Sequence, residues 1–590
     1  MKKEFSLSNG KAMVNFSAKY CDTMEKILES DSFRRVTETY LESIAKRNTK
    51  AYKMLHSFYP DSTISDLTGK FVEIIKLLTI FDASEVVSFR RGYQCILEDK
   101  DWFASVVEDF YAYWRRLERY SVIQNRRNSE GLAQTSFINA NVKFTNLILE
   151  MYRKIEKNVL GYEPNVFRQV PAGVNAGVTL QETLWPIPRG YEILNDVPFI
   201  SSIMMDSPFI SYPKKNTRDG IFQETFKNPM DEAYLNKDHF FCYPAKIGNL
   251  LGFLYFHRDL MSHGISLSNL FEMAREEEYV GRKPDLVYVF GASNPDPAMK
   301  NVFYDDKKND IMLGFVPYSE DVDYFGYMKK MSLTLHNLIM IKQGSLPIHG
   351  AMVNINMKNG KSANVVILGD SGAGKSESLE ALRGLSEDHI SDMTIVFDDM
   401  GFFKHKNGKV YGYGTEIGAF VRLDDLDQGY AFKEIDRSIF MNPDKTNARL
   451  VMPVATYTEI IKGYPIDLFL YANNYKTIKP GEPGVRYFDN AEEAKDIFRS
   501  GKRMAKGTTT ESGLVESYFA NPFGPLQKSE ETDKLLDLYF DTLFSTKVKV
   551  GEIYTQLGVK GSEKTGPRDA AMELFKEISD LDGTEGETEN

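Results

Sequence analysis

The stretch of sequence that decides the fold is residues 364–376, which read NVVILGDSGAGKS. Its β-branched first half predicts a buried strand, and Leu379, Leu382 and Leu385 at helical spacing predict a helix directly afterwards. Between them, glycines allow backbone N–H groups to point at phosphate oxygens, and the helix N-terminus adds its dipole. A chance match is the alternative. Strand, turn and helix in this order nevertheless predict a P-loop that binds a nucleotide or pyrophosphate and transfers a phosphoryl group.

The residues of this turn have separate predicted roles. Lys375 would neutralise the β- and γ-phosphate oxygens from a solvent-facing position, and the hydroxyl of Ser376 would ligate a divalent metal. Downstream, an apolar strand predicted at 393–399 ends in Asp398 and Asp399. Paired aspartates usually mark a turn, but beside a P-loop they favour binding of Mg²⁺ or Mn²⁺. The predicted phosphate-binding set is Gly369, Asp370, Ser371, Gly372, Ala373, Gly374, Lys375, Ser376 and Glu377.

The composition is that of a folded protein with more than one domain. The chain has 590 residues, of which 42% are hydrophobic, and a formal net charge of −11. The negative charge argues against a nucleic-acid partner. Cys21, Cys95 and Cys242 form no CxxC pair, the N-terminus lacks a secretory apolar segment, and the apolar runs are too short to span a bilayer. We therefore expect a soluble cytoplasmic protein with no nucleic-acid or membrane partner.

The texture of the chain changes near residue 160. Residues 1–160 space their apolar side chains three and four apart, which predicts an all-α N-terminal domain whose helices could contact a protein partner or a second copy. Prolines and glycines are frequent after this point, and strand-like runs occur at 286–290, 311–316 and 351–355. The acidic end, 580–590, is expected to be disordered.

Six motifs in the second half of the chain occur in a fixed order. They are 324–330 (YFGYMKK), 347–353 (PIHGAMV), 369–376 (GDSGAGKS), 397–400 (FDDM), 446–453 (TNARLVMP) and 500–524, which contains TESGLVE and ends in FG. They resemble the strings YGGEMKKG, SMHCSANV, GLSGTGKT, GDDE, NTRxxYP and SG…GTERGxTEP…CFG of ATP-dependent phosphoenolpyruvate carboxykinases. The resemblance covers about 300–530 and is absent from the N-terminal helices.

The resemblance implies a fold and a set of site residues. The fold is an α/β carboxykinase-like core of two lobes, with 161–340 on the substrate side, 341–579 carrying the P-loop, and the cleft between them. Lys330 has to be neutral to bind a metal, and burial and a nearby dication both lower an amine pKa. Tyr324 would face a small carboxylate substrate. The implied residues are Lys330, Lys375, Arg449, Asp398 and Tyr324 for catalysis, Lys330, His349, Asp399 and Ser376 for metal, and the P-loop with Arg449 for the nucleotide.

Several positions depart from the carboxykinase pattern. The loop string GDSGAGKSE, with Glu377 after the serine, is closer to HPr kinase/phosphorylase, a branch of the same superfamily. The string IHG at 348–350 resembles that branch and the carboxykinases equally well. The carboxykinase lysine of a GGCYAKTI string has no counterpart in 414–423 (GTEIGAFVRL). The family's substrate arginine has only Arg218 as a near counterpart, and Arg189 and Arg258 are further candidates.

Three functional hypotheses follow. The first is an enzyme of the carboxykinase type, which phosphorylates the enolate formed when oxaloacetate loses CO₂, or runs in reverse, with ATP, GTP or pyrophosphate as donor and with Mg²⁺ and Mn²⁺. The second is a kinase that phosphorylates a hydroxyl of a protein or small metabolite, with Asp398 or Asp399 as base. The third is a nucleotide-gated regulatory protein without catalysis. Without the other site residues, His349 would be interpreted as a core histidine and Arg449 as part of a surface ion pair.

Overall fold

A computed structural model describes most of the chain, and contacts between Cα atoms divide it into two compact units. The described residues are 4–8, 11–16, 19–122, 134–167, 176–205, 208–370, 372–384, 389–423, 435–479, 481–505, 513–546, 548–563 and 565–580. The units are Met1–Pro164 and Asn165–Asn590, and both mix helices with strands. No described helix combines the length and the apolar composition needed to span a bilayer.

Helices dominate the first unit, and most begin where a short polar side chain closes the first turn. Ser30, Thr49, Thr63, Asp82 and Asp99 each accept a hydrogen bond from a backbone N–H of the turn that follows. The apolar faces of these helices pack into one core. The helices are α1 (Met24–Leu28), α2 (Asp31–Arg47), α3 (Lys50–Phe58), α4 (Ile64–Leu78), α5 (Ala83–Phe89), α6 (Gln94–Leu97), α7 (Lys100–Arg116) and α8 (Gln134–Leu160).

The prediction of an all-α N-terminal domain is wrong, because the first unit also contains a three-stranded sheet. Its strands are β1 (Phe5–Ser8), β2 (Lys11–Asn15) and β3 (Glu118–Val122), with β1 antiparallel and β3 parallel to β2. The helical spacing of apolar residues continues through 102–123, but α7 ends at Arg116. Beyond it the backbone hydrogen-bonds to the edge of β2, and this distant pairing outweighs the local helical spacing.

The second unit contains two large sheets, and the first has ten strands. Its order is β4-β6-β9-β10-β12-β14-β13-β8, with β5 on β6 and β11 on β9. The predicted strands at 286–290 and 311–316 are confirmed as parts of β12 and β14, which are buried parallel strands. The elements of this region are β4 (Val166–Phe167), β5 (Ala176–Gln181), β6 (Phe199–Met205), β7 (Phe209–Ser211), β8 (Gln223–Glu224), β9 (Phe240–Ile247), β10 (Leu250–His257), α9 (Met261–Ser266), β11 (Glu272–Met273), α10 (Glu276–Tyr279), β12 (Leu286–Ala292), β13 (Val302–Asp306), β14 (Ile311–Pro317) and α11 (Phe325–Lys342).

The second large sheet has eight strands and carries the P-loop. Its order is β22-β18-β17-β15-β16-β23-β27-β24, while β19-β21-β20-β7 form a four-stranded sheet and β25-β26 a pair. The predicted strand, turn and helix are confirmed as β16, the loop after it, and α12. The elements are β15 (Leu346–Met357), β16 (Ser362–Leu368), α12 (Lys375–Gly384), β17 (Ile390–Lys406), β18 (Lys409–Gly414), β19 (Gly418–Arg422), β20 (Ile439–Met441), β21 (Arg449–Pro453), α13 (Tyr457–Ile461), β22 (Tyr464–Pro465), β23 (Leu468–Asn473), β24 (Val485–Tyr487), α14 (Ala491–Ser500), β25 (Arg503–Met504), β26 (Leu514–Val515), α15 (Ser529–Ser545), β27 (Lys549–Tyr554) and α16 (Thr565–Asp580).

The paired aspartates lie within a strand, so the prediction that they end one is wrong. β17 continues seven residues past Asp399, to Lys406, because it is paired along its length by β15 and, in its second half, by β18. The register with β15 shifts between Met352 and Val353, which leaves Val396 as an extra residue on β17. Such a bulge re-aims the side chains that follow it. The predicted disordered tail, 581–590, lies outside the described residues; Asp580 ends α16.

One helix lies between the two large sheets. α11 packs on β12 and β14 of the first sheet and on β15 and β17 of the second. It is buried on nearly every side, as is typical of a helix that other elements cover all round. It carries the adjacent residues Lys329 and Lys330, and Lys329 is fully buried. The fold therefore holds ammonium groups in its interior, where they require counter-charges.

Gly350 on β15 is expected to tolerate no side chain. A Cβ added there would lie 2.5 Å from the carbonyl oxygen of Ile367 on the neighbouring strand β16. Gly350→Ala should therefore lower the free energy of unfolding by about 1–3 kcal/mol. The matched control is Gly384→Ala at the end of α12, where a Cβ meets nothing within 4 Å and no loss is expected. Thermal unfolding checks both variants, and equal midpoints would contradict the described pairing of β15 with β16.

Candidate active site

The three predicted protein metal ligands meet at one carboxylate. Lys330 Nζ on α11 lies 2.7 Å from Asp399 Oδ2, and His349 Nε2 on β15 lies 3.0 Å from Asp399 Oδ1. The pairing of β15 with β17 sets His349 opposite Met400 and next to Asp399. Lys329 Nζ also reaches Asp399 Oδ2, at 2.6 Å. Two lysines and one histidine thus converge on the Asp399 side chain.

The P-loop is braced from outside by hydrogen bonds to its backbone. Asn474 Nδ2 donates to the carbonyl oxygen of Gly372 at 2.9 Å, and Thr555 Oγ1 donates to that of Ala373 at 2.7 Å. Gly374 has a φ of +92°, and a Cβ there would lie 2.6 Å from Thr555, so this position requires glycine. Lys375 is only 8% exposed, which corrects the prediction of a solvent-facing lysine. Lys375 follows the loop directly, at the start of α12, and its side chain is enclosed there.

Two members of the predicted phosphate-binding set cannot be placed. Ser371 lies outside the described residues, and so does the side chain of Ser376, the predicted ligand of the nucleotide-associated metal. The role of Ser376 stays a prediction. Glu377, the next residue, is half-buried in the first turn of α12.

The P-loop and the Asp399 cluster are joined through His349. Asp370 Oδ1 in the loop lies 3.7 Å from His349 Nδ1, and Arg503 Nε donates to Asp370 Oδ2 at 3.0 Å. Arg503 is buried on β25. This arginine could not be predicted from the sequence, because 133 residues separate the two partners and no motif contains both.

The surroundings of the cluster shift the pKa values of Lys329 and Lys330 in opposite directions. Burial lowers the pKa of Lys329, but attraction to Asp399 and Glu416 outweighs it and raises the value to about 12. Burial, together with repulsion by Lys329, lowers the pKa of Lys330 despite attraction to Asp399. Burial alone would raise the pKa of Asp399, yet the two lysines and His349 hold it well below its usual range. Asp399 is therefore ionised, Lys329 is a cation, and Lys330 is the amine that loses its proton more readily.

Glu416, which the sequence analysis missed, completes the charge balance. It is fully buried in the loop before β19, with Oε2 3.3 Å from Lys329 Nζ. Burial, with a contribution from the charge of Asp399, raises its pKa to about 7. It lies in the GTEIGAFVRL string, which the sequence analysis considered only for a missing lysine.

Both ring nitrogens of His349 have hydrogen-bond partners. His349 Nδ1 lies 2.6 Å from the carbonyl oxygen of Ala520, which can only accept, so Nδ1 carries a proton. Nε2 lies 3.0 Å from Asp399 Oδ1, and a proton between these two atoms gives a hydrogen bond that stabilises the carboxylate. The described residues hold no group of three His, Cys, Asp or Glu side chains suited to a metal ion. The role of Lys330, His349 and Asp399 as metal ligands stays a prediction.

A second group of predicted site residues lies around the ring of Phe523. Lys330 Nζ lies 4.5 Å and Arg218 Cζ 5.4 Å from its centroid, and the ring of His349 packs on it edge-on. Arg218 thus shares one aromatic neighbour with two of the predicted metal ligands. Arg258, by contrast, is exposed and pairs with Asp259 next to it in the chain.

The residues predicted to contact the phosphoryl group and the substrate lie around the ring of Phe420. Arg449 Cζ lies 5.5 Å and Lys329 Nζ 5.8 Å from its centroid, and Tyr324 packs on it at 6.0 Å between centroids. Burial raises the pKa of Tyr324, and Arg449 and Arg218 oppose that rise from nearby. Arg449 also hydrogen-bonds to the Tyr324 side chain. The two arginines and the tyrosine therefore belong to the same site as Asp399.

Asp398 lies on the face of β17 opposite to that of Asp399. It neighbours Asp399 on β17, and successive side chains of a strand point to opposite faces of the sheet.

No protein-family model and no curated protein sequence matches this chain. The site must therefore be interpreted from its own geometry.

Glu416 makes the stability of the fold depend on pH. The folded protein holds this proton more tightly than the unfolded chain, whose glutamate has the ordinary pKa of 4.5. The contribution of Glu416 to stability therefore falls as the pH rises from about 4.5 to about 7. Since glutamine cannot ionise, Glu416→Gln should gain stability relative to wild type across this window, by up to about 3 kcal/mol, and the difference should level off above it.

Thermal or urea unfolding between pH 4.5 and 8 measures this difference. The exposed Glu232 provides the control, since Glu232→Gln should follow the wild-type profile throughout. A difference between Glu416→Gln and wild type that stays constant with pH would contradict the buried position of this carboxyl.

Proposed function

We propose that this chain is a metal-dependent phosphotransferase of the phosphoenolpyruvate carboxykinase type. It would convert oxaloacetate and a phosphoryl donor to phosphoenolpyruvate and CO₂, or catalyse the reverse reaction. The observation that carries the proposal is the meeting of Lys330, His349 and Asp399 at one point, beside a P-loop that contacts the same histidine. An isolated P-loop supports many reactions, whereas an amine, an imidazole and a carboxylate around it suit few.

These three side chains would hold Mn²⁺ or Mg²⁺, which supplies positive charge next to an enolate oxygen. The protein's part is to lower the pKa of Lys330 through burial and repulsion by Lys329, and to fix the imidazole through Ala520. Lys329 keeps its proton and balances Asp399 when Lys330 has lost its own. The adjacent lysines therefore have different roles, one structural and one as a ligand.

The carboxylates of the substrate require cations beyond those that hold phosphate. Arg218 is half-buried near Tyr324 and shares the Phe523 ring with Lys330. A guanidinium matches a carboxylate in geometry and in charge. We assign Arg218 and Tyr324 to the substrate, so that the bond to the departing CO₂ breaks while the remaining carboxylate is held in place.

Phosphoryl transfer would follow in the same site. The electron pair of the broken C–C bond forms the enolate, whose oxygen attacks the terminal phosphorus of the donor while the bond to the donor's bridging oxygen breaks. Lys375 and Arg449 would face the transferred group, where negative charge spreads over the oxygens. The braces from Asn474 and Thr555 would fix the P-loop before the donor binds.

The hydroxyl-kinase alternative needs a carboxylate that accepts a proton. Asp399 is a poor base, since two lysines hold its pKa well below the usual range. Asp398 lies on the other face of β17. The half-buried Arg218 near Tyr324 also suits an anionic acceptor better than a neutral hydroxyl. Both the kinase and the non-catalytic regulator remain distinguishable outcomes of the assay.

Product formation tests the proposal directly. The full-length protein is incubated with oxaloacetate, Mn²⁺ and Mg²⁺, and ATP, GTP or pyrophosphate is offered in turn. We expect phosphoenolpyruvate with at least one donor. Lys375→Ala should lower the rate on the order of 10²–10³-fold, because it removes a charge aimed at the transition state.

Lys308→Ala, on an exposed turn, is the matched control and should keep full activity. Since Lys375 is buried, thermal unfolding must show that the variant is folded. Donor hydrolysis or transfer to another acceptor without phosphoenolpyruvate would favour the kinase. Donor binding without any turnover would favour the regulatory protein.

Arg218 is predicted to determine the affinity for oxaloacetate. Arg218→Gln should raise KM for oxaloacetate by about 10–100-fold, the cost of a lost charge-assisted hydrogen bond, and leave KM for the phosphoryl donor nearly unchanged. Arg258→Gln, which alters an exposed arginine paired with Asp259, is the control and should leave both values as in wild type. An equal rise of both KM values for Arg218→Gln would show that this arginine does not contact the substrate.

A further inference from the structure

The first unit contains a cavity that its own side chains leave unfilled. About 80 Å³ is open to the centres of water-sized spheres, whereas a single buried water needs about 10–15 Å³. The cavity lies among β1, β2, α2, α7 and α8, and its walls are almost entirely aromatic and aliphatic, with Phe33, Phe110, Trp114 and Phe144 among them. The cavity is partly open to solvent, so a small molecule can enter it without unfolding of the unit. Its apolar walls suit an apolar ligand better than water.

One polar group in this wall has an unmet hydrogen-bonding capacity. Within the described part of the chain, Glu4 Oε1 is buried and has no hydrogen-bond partner. The other oxygen, Oε2, is 3.7 Å from Lys19 Nζ, and both side chains line the cavity. A buried carboxylate oxygen without a donor is costly, and native proteins generally satisfy such groups. A ligand with a donor at one end would satisfy it.

We propose that this cavity binds a small apolar molecule that carries one hydrogen-bond donor, a primary ammonium or a hydroxyl group. The hydrocarbon part occupies the aromatic interior, and the donor pairs with Glu4 Oε1. A carboxylate at the same end is disfavoured, because it would meet the Glu4 oxygen with like charge. The site lies wholly within the first unit, so it is separate from the Asp399 cluster and independent of the proposed phosphoryl transfer.

The test compares three ligands of equal chain length on the full-length protein at pH 7. Hexylammonium, 1-hexanol and hexanoate are titrated by calorimetry, and thermal unfolding is followed in parallel. Hexylammonium and 1-hexanol should bind at least about tenfold more tightly than hexanoate and should raise the unfolding midpoint. The difference between the first two shows which donor the site prefers.

Two variants separate the roles of the carboxylate and of the void. Glu4→Gln should weaken hexylammonium by about tenfold and remove the discrimination against hexanoate, while Glu25→Gln on an exposed face of α1 should change nothing. Val107→Phe places a ring in the cavity and should abolish binding of all three. Since Glu4→Gln leaves the core unchanged, it decides the matter even where Val107→Phe disturbs packing. Equal affinities of the three ligands, unaltered binding by Glu4→Gln, or no binding at all would overturn the proposal.

Discussion

The second unit depends on one buried carboxylate, that of Asp399. Its two oxygens receive Lys329 and Lys330 from α11 and His349 from β15, so a single side chain of β17 ties together three elements. Buried ammonium groups are tolerated only with a counter-charge, and removal of one partner from such a set typically costs about 3–5 kcal/mol. The helix between the two large sheets can carry adjacent lysines inward only because this strand, re-aimed by its bulge, supplies the anion.

The same interaction also shifts the pKa values of the two lysines in opposite directions. Two lysines compete for one aspartate, and the buried Glu416 forms a direct ion pair with Lys329. The outcome is unequal: the pKa of Lys329 rises to about 12 and that of Lys330 falls. An amine can serve as a metal ligand only in its neutral form. The pairing that stabilises the fold thus also prepares Lys330 for a role that an ordinary surface lysine could not have.

The parts of the structure that could be predicted from the sequence are those encoded by residues close together in the chain. The P-loop is one continuous strand, turn and helix, so β16 and α12 followed directly from residues 364–385. The motif order likewise brought Lys330, His349 and Asp399 together as candidates. Pairings between distant segments left no such pattern: β3 pairs with β2 across about a hundred residues, and Arg503 reaches Asp370 across 133. The burial of Glu416 and of Lys375 also depends on which segments fold over these residues. The spacing of residues along the chain does not encode that information.

The pair Asp370–Arg503 accounts for one departure from the carboxykinase loop. Where that family has GLSG, this chain has GDSG, which places a carboxylate in the turn that we propose to hold phosphate. An unpaired negative charge there would repel a phosphoryl donor. Arg503 donates to Asp370 from a buried position, so the charge is neutralised where it arises. Asp370 Oδ1 also lies 3.7 Å from His349 Nδ1, so the same carboxylate brings the loop next to the Asp399 cluster. The positive potential of the turn, from its N–H groups and Lys375, is left available for the donor.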